Sequence, residues 1–180
     1  MGAWSIRDLV GHTSRSLLTV EAYLARGAQS IEVPDAVAYF HAALGSTVDE
    51  AAVTERGRQA GAALGDDPAG AVGEIAARVV PVVERSSDDA VVGTPWGGMR
   101  LLDYLPTRSF ELSIHTLDLA ATLNLPGALP EPAAALTWEL IAQLARGAGA
   151  ENQVLRALTG RTTLASEYSV LTPPRSGPAA

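Results

Sequence analysis

The spacing of apolar residues constrains the fold of this chain most strongly, because it repeats with the period of an α-helix along most of the 180 residues. In the first segment the repeating positions are Val10, Leu17, Val20 and Leu24. Ser5 and Asp8 have the spacing of a capping box before this segment, and Gly27 is typical of a residue that ends a helix. The pattern therefore predicts a first helix that runs to about Arg26.

Proline and glycine residues divide the rest of the chain into further helical segments. We predict helices over 35–44, 48–64, 68–85, 102–124, 133–146 and 151–158. Pro81 is expected to kink or shorten the helix over 68–85, and 86–98 is predicted to be a loop with short extended character at Val91 and Val92. No long alternation of apolar and polar residues occurs, so the prediction is an all-α helix bundle over 1–171, followed by a flexible tail over 172–180.

The composition excludes several classes of function. Acidic residues outnumber basic ones by 20 to 13, so we expect neither nucleic acid nor an anionic membrane surface as a partner. The chain has no cysteine, which excludes disulfides, thiolate metal sites and a protein thiol nucleophile. It shows no apolar run of ~18 residues and no signal-peptide pattern, so the expected location is the cytoplasm.

A polar stripe runs along the predicted helix over 102–124. At about 100° per residue, one narrow arc holds Arg108, Glu111, His115, Asp118 and Thr122. Glu111 and His115 are four residues apart and project side by side, as two ligands of one metal ion do. A charged stripe is more often the solvated face of its helix, but apolar residues flank this one on both sides, which favours a cavity. Both interpretations stay open at this stage.

His12 is the second indication of a metal site. A lone histidine on a helix is more often a surface or structural residue, and His41 is interpreted in that way because no carboxylate lies at helical spacing from it. Together with Glu111 and His115, however, His12 would complete a set of three nitrogen and oxygen ligands for a divalent cation, with positions left open for water or substrate.

Two motifs in the chain resemble those of a known family. Residues 4–12 read WSIRDLVGH, and residues 108–120 read RSFELSIHTLDLA. They are similar to the W-S/T-x-R-D-L-x-x-H and R-x-x-E-x-x-x-H-x-x-D-L-A signatures of the mycothiol-dependent maleylpyruvate isomerase family, which belongs to the wider group of DinB-like metal-binding bundles. The resemblance implies a DinB-like four-helix bundle with additional C-terminal helices. It also implies a divalent metal, usually zinc, bound by His12, Glu111 and His115.

The resemblance further implies an activity, the cis–trans isomerisation of maleylpyruvate with mycothiol as thiol cofactor. The metal would lower the pKa of the cofactor thiol, and the thiolate would add to the activated double bond, which rotates before the thiolate leaves. Related members transfer thiols to electrophiles or open rings. The expected partners are therefore a small-molecule substrate and a low-molecular-weight thiol.

Two residues are candidates for further roles in catalysis. Arg108 is predicted to clamp a substrate or cofactor carboxylate, with an ion pair to Asp103 or Glu111 as the alternative. Asp118 is predicted to hold a metal ligand or a water, with an ordinary surface position as the alternative.

The chain also departs from the family in two ways. The family has a helix before the first motif and the isomerase has a further C-terminal α/β domain. We therefore expect either a bundle without its first helix or a start placed too far downstream. A missing helix would favour a homodimer. The alternative hypotheses are a non-catalytic metal-binding regulatory or dimerisation module and a metal-free bundle with a solvated stripe.

Overall fold

The computed structural model describes residues 4–45 and 50–171, so the predicted tail over 172–180 lies outside the described part. The described elements are α1 (Ile6–Arg26), α2 (Ala36–Gly45), α3 (Glu50–Ala63), α4 (Pro68–Arg85), β1 (Val91–Thr94), β2 (Gly97–Arg100), α5 (Leu101–Thr122), α6 (Glu131–Gly147) and α7 (Glu151–Leu158). Helices dominate, and the prediction of an all-α bundle is confirmed. None of the described helices is both long and apolar enough to span a bilayer.

The start of α1 follows from its sequence. The side chain of Ser5 accepts a hydrogen bond from the backbone N–H of Asp8, and the Asp8 carboxylate accepts one from the backbone N–H of Ser5. These two bonds satisfy amides that have no partner within the helix. At the other end Gly27 has a φ of 58°, a conformation that glycine adopts without strain. The predicted bounds of this helix are confirmed.

The prediction of a loop over 86–98 is wrong in part. Residues 91–100 form an antiparallel hairpin of β1 and β2 instead of a loop, although the extended character of Val91 and Val92 is confirmed. The backbone N–H groups of Glu32 and Val33 both donate to the carbonyl of Gly98, which fixes the hairpin from a distant part of the chain. A contact between residues so far apart in the chain cannot be predicted from local sequence patterns.

Helix α4 has the predicted bounds, Pro68–Arg85, so Pro81 does not shorten it. Val79 before the proline lies in the hydrophobic core, and Val83 after it packs against that core. We infer that this burial offsets the hydrogen bond that a proline removes from a helix interior.

Helix α1 is the centre of the packing. It contacts α3, α4, α5 and β1, while α5 also contacts α2 and α6. The core between these elements includes the fully buried side chains of Tyr104, Met99 and Val92. Helix α1 lies against α5, and His12 of α1 meets His115 of the polar stripe there.

The contact between α1 and α3 is close enough to require glycine on both helices. A Cβ atom at Gly11 would lie 2.1 Å from the backbone nitrogen of Gly61, and one at Gly61 would lie 2.8 Å from the carbonyl oxygen of Arg7. No side chain fits between backbones at these distances. The two glycines therefore set the spacing of the helices.

We predict that Gly11→Ala lowers the free energy of unfolding by about 2 kcal/mol or more, because the added methyl group forces α1 and α3 apart. The matched control is Gly73→Ala in α4, where an added Cβ meets nothing within 4 Å. That control should raise the free energy of unfolding by about 0.5–1 kcal/mol through helix propensity. Denaturation with urea checks both, and equal effects at the two positions would contradict the close contact.

Candidate metal centre

The structure brings His12, Glu111 and His115 together. One potential ligand atom from each residue lies within 4.8 Å of the others. Nε2 of His115 is 3.3 Å from Oε2 of Glu111, and the rings of His12 and His115 meet edge to face with their centroids 4.9 Å apart. Side chains from two helices therefore converge on one point, although their role as metal ligands stays a prediction.

The polar stripe of α5 changes its environment along the helix. The side chains of Glu111 and His115 are only 24% and 17% exposed, whereas that of Asp118 is 43% exposed and Thr122 lies at the surface. A solvated stripe would leave all of these side chains open to water. The central part of the stripe is instead half-buried between helices.

Glu111 and His115 have opposite pKa shifts. Burial lowers the pKa of His115, but its hydrogen bonds and charge interactions with Glu111 and Asp118 outweigh burial, so the net shift is upward. Burial raises the pKa of Glu111, but the hydrogen bond from His115 and the charge of Arg108 outweigh it, so the net shift is downward. Each group thus favours the charged form of the other, as expected of an ion pair.

The pKa of His12 shifts in the opposite direction to that of His115. Burial, followed by the nearby His115, lowers the pKa of His12 to about 4. Its Nδ1 atom is buried and finds no hydrogen-bond partner among the described residues. His12 is therefore a neutral imidazole near pH 7, the form that binds a metal. Two imidazoles, one carboxylate and a buried nitrogen without a partner fit a divalent cation such as zinc.

Trp4 covers His12 from the side of α3. Its indole N–H donates to the backbone carbonyl of Thr54, and its ring centroid lies 4.5 Å from that of His12. A Cβ atom at Gly57 would lie 2.9 Å from this indole, so the glycine makes room for it. Trp4 belongs to the first sequence motif, but the motif alone did not indicate that its side chain packs on His12.

Asp118 contacts the second ring nitrogen of His115, the one that does not face Glu111. Its Oδ2 atom lies 3.2 Å from Nδ1 of His115, so the His115 ring is held between two carboxylates, Asp118 at Nδ1 and Glu111 at Nε2. Such a contact fixes the orientation of the imidazole. Its role in catalysis stays a prediction.

Arg108 forms neither of the ion pairs that the sequence allowed. Asp103 pairs instead with Arg100, at 2.5 Å, and within the described residues no carboxylate lies at ion-pair distance from Arg108. Its guanidinium lies 4.9 Å from the ring centroid of Tyr104 and 5.3 Å from that of Tyr39, and it donates to the hydroxyl of Tyr39. Arg108 is therefore held by aromatic rings rather than by a counter-charge.

A cavity of about 610 Å³ opens beside these residues. Its lining includes His12 and Glu111 of the candidate site, together with Arg108. Aromatic residues of α1, α2 and the hairpin turn contribute Tyr23, Tyr39, Phe40 and Trp96. Arg15 of α1 and Arg56 of α3 also line it. Tyr39 and Arg56 could not be predicted as part of the site from sequence, because only the packing of α2 and α3 brings them there.

Comparison with known proteins gives one family match. The profile of the family described as the mycothiol maleylpyruvate isomerase N-terminal domain matches residues 1–120. No curated protein and no solved structure matches the chain. The matched range includes both sequence motifs and all three residues of the candidate metal centre.

We predict that Asp118→Asn lowers the pKa of His115, because it removes one of the two carboxylates that favour the imidazolium. The measurement is a proton NMR titration of the three histidines in protein freed of metal on a chelating resin. Asp88→Asn, an exposed control, should leave that pKa unchanged. An unchanged pKa of His115 in Asp118→Asn would contradict the contact between them.

Proposed function

The chain belongs to the mycothiol maleylpyruvate isomerase N-terminal domain family, and from this membership we propose a divalent-metal-binding, mycothiol-dependent isomerase or thiol transferase that acts on small electrophilic substrates. The observation that carries the proposal is the convergence of His12, Glu111 and His115 within 4.8 Å at the edge of a large cavity. We place the reaction in the cytoplasm, where low-molecular-weight thiols are kept reduced.

The three converging residues are the proposed ligands, and zinc is the proposed metal. When bound, such a cation would lower the pKa of a thiol that it binds, so that thiolate is available near neutral pH. His12 suits metal binding because its lowered pKa keeps it unprotonated near pH 7. Glu111 suits it because its lowered pKa keeps the carboxylate charged.

Asp118 is the proposed positioning residue for His115. Its carboxylate accepts a hydrogen bond from the Nδ1–H group, which leaves Nε2 of the same ring to face Glu111. A carboxylate in this position also increases the basicity of the imidazole. Trp4 is the proposed positioning residue for His12, since its ring packs against that imidazole and restricts its rotation.

The cavity supports a reaction between a thiol and a small substrate. Its volume of about 610 Å³ lies in the usual range of small-molecule sites. The chain has no cysteine, so the thiol must come from a cofactor. Aromatic side chains form part of the wall and offer apolar surface to a bound substrate.

We predict that His115→Ala loses stoichiometric zinc, because it removes one of three ligands and leaves Glu111 without its partner. The control is His41→Ala, at an exposed position of α2 outside the cavity lining. It should keep zinc at the level of the unmodified chain, as measured by elemental analysis after gel filtration. Full retention of zinc by His115→Ala would refute the proposed site.

We also predict turnover of at least one substrate in a panel of small electrophiles that includes maleylpyruvate, and only when mycothiol is present. His115→Ala should lose this turnover, whereas His41→Ala should keep it. The assay follows loss of the electrophile by absorbance or chromatography. A zinc-containing chain without thiol-dependent turnover on any substrate would instead support the non-catalytic metal-binding module.

A further inference from the structure

The side chain of Tyr39 is a fixed part of the cavity wall. Tyr39 lies on α2 and is only 6% exposed, yet it lines the cavity beside the candidate metal centre. Its ring meets three neighbouring rings edge to face, those of Phe40, Trp96 and Tyr104, with centroids 4.9–5.7 Å apart. Such packing leaves the ring little freedom to move. The hydroxyl of Tyr39 therefore has a defined place in the wall.

Arg108 makes this hydroxyl a strong hydrogen-bond donor. Nη2 of Arg108 donates to Oη of Tyr39 at 3.3 Å, and the guanidinium lies 5.3 Å from the centroid of the same ring. Within the described residues no carboxylate lies at ion-pair distance from Arg108, so its charge is not neutralised by a partner. A cation that donates to a phenol oxygen draws electron density from it, and the O–H group of that phenol becomes a better donor.

Tyr39 keeps its proton near neutral pH. Burial raises the pKa of Tyr39, and the charge of Arg108 offsets only part of this shift. The hydroxyl of Tyr39 is also hydrogen-bonded to Tyr104, whose own hydroxyl donates to Thr19 at 3.1 Å. A negatively charged oxygen is a stronger acceptor than the neutral oxygen of a phenol. Such an oxygen in the cavity would therefore take the hydrogen bond of Tyr39 in place of Tyr104.

The hydroxyl of Tyr39 is also close to the candidate metal centre. His12 and Glu111 line the same cavity as Tyr39. The charge of Arg108 acts to lower the pKa of both Glu111 and Tyr39, and the charge of Glu111 acts to raise that of Tyr39. These groups are therefore within electrostatic range of one another. A small molecule in the cavity can lie beside the metal centre and still reach the hydroxyl.

The reaction under the proposed function needs such a donor. When a thiolate forms a bond to one carbon of a double bond conjugated to a carbonyl, the π electron pair moves to the carbonyl oxygen and gives an enolate. When the sulfur leaves, the pair returns and the double bond forms again, so no proton is gained or lost overall. The proposed ligands His12, Glu111 and His115 serve the metal, so the negative charge on the substrate oxygen needs a donor elsewhere in the cavity.

We propose that Tyr39, supported by Arg108, donates the hydrogen bond that stabilises the negative oxygen formed on the substrate. Tyr39 is then a catalytic residue, and Arg108 acts through it as a positioning residue. The place of Tyr39 in a reaction rests on the proposed function. The donor itself is built from side chains of α2 and α5 and needs neither metal nor thiol.

The first test is Tyr39→Phe in the full, zinc-containing chain. This change removes the hydroxyl and keeps the ring, so zinc should stay stoichiometric and KM should change little, while kcat falls about a hundredfold. The control is Tyr168→Phe, because the hydroxyl of Tyr168 lies outside the cavity lining and has no hydrogen-bond partner among the described residues. It should keep kcat, and urea denaturation checks that both variants fold. An unchanged kcat in Tyr39→Phe would overturn the proposal, as would a loss that only follows a loss of zinc.

The second test uses 4-nitrophenolate, a stable mimic of an enolate oxygen whose absorbance band responds to hydrogen bonds at that oxygen. The full chain is freed of metal on a chelating resin, because a metal would bind the phenolate by itself. We expect saturable binding with a band shifted to shorter wavelength. Tyr39→Phe should bind about tenfold more weakly and lose the shift, whereas Tyr168→Phe should keep both. No saturable binding, or the same affinity and band in Tyr39→Phe, would contradict the donor role.

The two tests separate this inference from the proposed function. A chain without thiol-dependent turnover would overturn the proposed function, and 4-nitrophenolate would still test the hydroxyl of Tyr39. A chain that turns over equally well as Tyr39→Phe would keep the proposed function and lose this inference.

Discussion

The close contact of α1 with α3 determines where the functional side chains lie. Gly11 and Gly61 let the two backbones approach to a distance that excludes any side chain between them. The residue after Gly11 is His12, so the same contact fixes the position of His12 along the axis of the bundle. On its other side α1 packs against α5, and His12 therefore meets His115. A wider spacing at Gly11 would move one candidate ligand away from the other two.

The electrostatics of the site follow from partial burial of several ionisable groups. Burial disfavours the charged form of each group, and the groups differ in whether a partner offsets this effect. Glu111 and His115 each favour the charged form of the other through their hydrogen bond, and Asp118 adds a second anion beside the imidazole. His12 has no such partner at Nδ1, and its pKa is lowered to about 4. The carboxylate of Glu111 and the neutral imidazole of His12 are the forms that bind a metal, and His115 would bind one after losing a proton.

The parts of the structure that depend on local sequence could be predicted. The capping box at Ser5, the end of α1 at Gly27 and the shared face of Glu111 and His115 all involve residues within one helical turn. Features that depend on contacts between distant parts of the chain could not be predicted. The hairpin is one of these features, because the carbonyl of Gly98 accepts hydrogen bonds from the backbone N–H groups of Glu32 and Val33. The convergence of His12 with α5 was expected from the residue types and from the family resemblance, since the spacing within each helix says nothing about the packing between them.

Arginine charge near the candidate metal centre bears on the proposed function. Arg15 and Arg108 both act to lower the pKa of His12, so their charges are felt at the candidate metal centre. A divalent cation there would be only partly neutralised by Glu111, and positive charge from the arginines would oppose its binding. Under the proposed function, a thiolate or a carboxylate substrate would bring negative charge to the same cavity. Binding of the metal and binding of either anion should therefore favour one another.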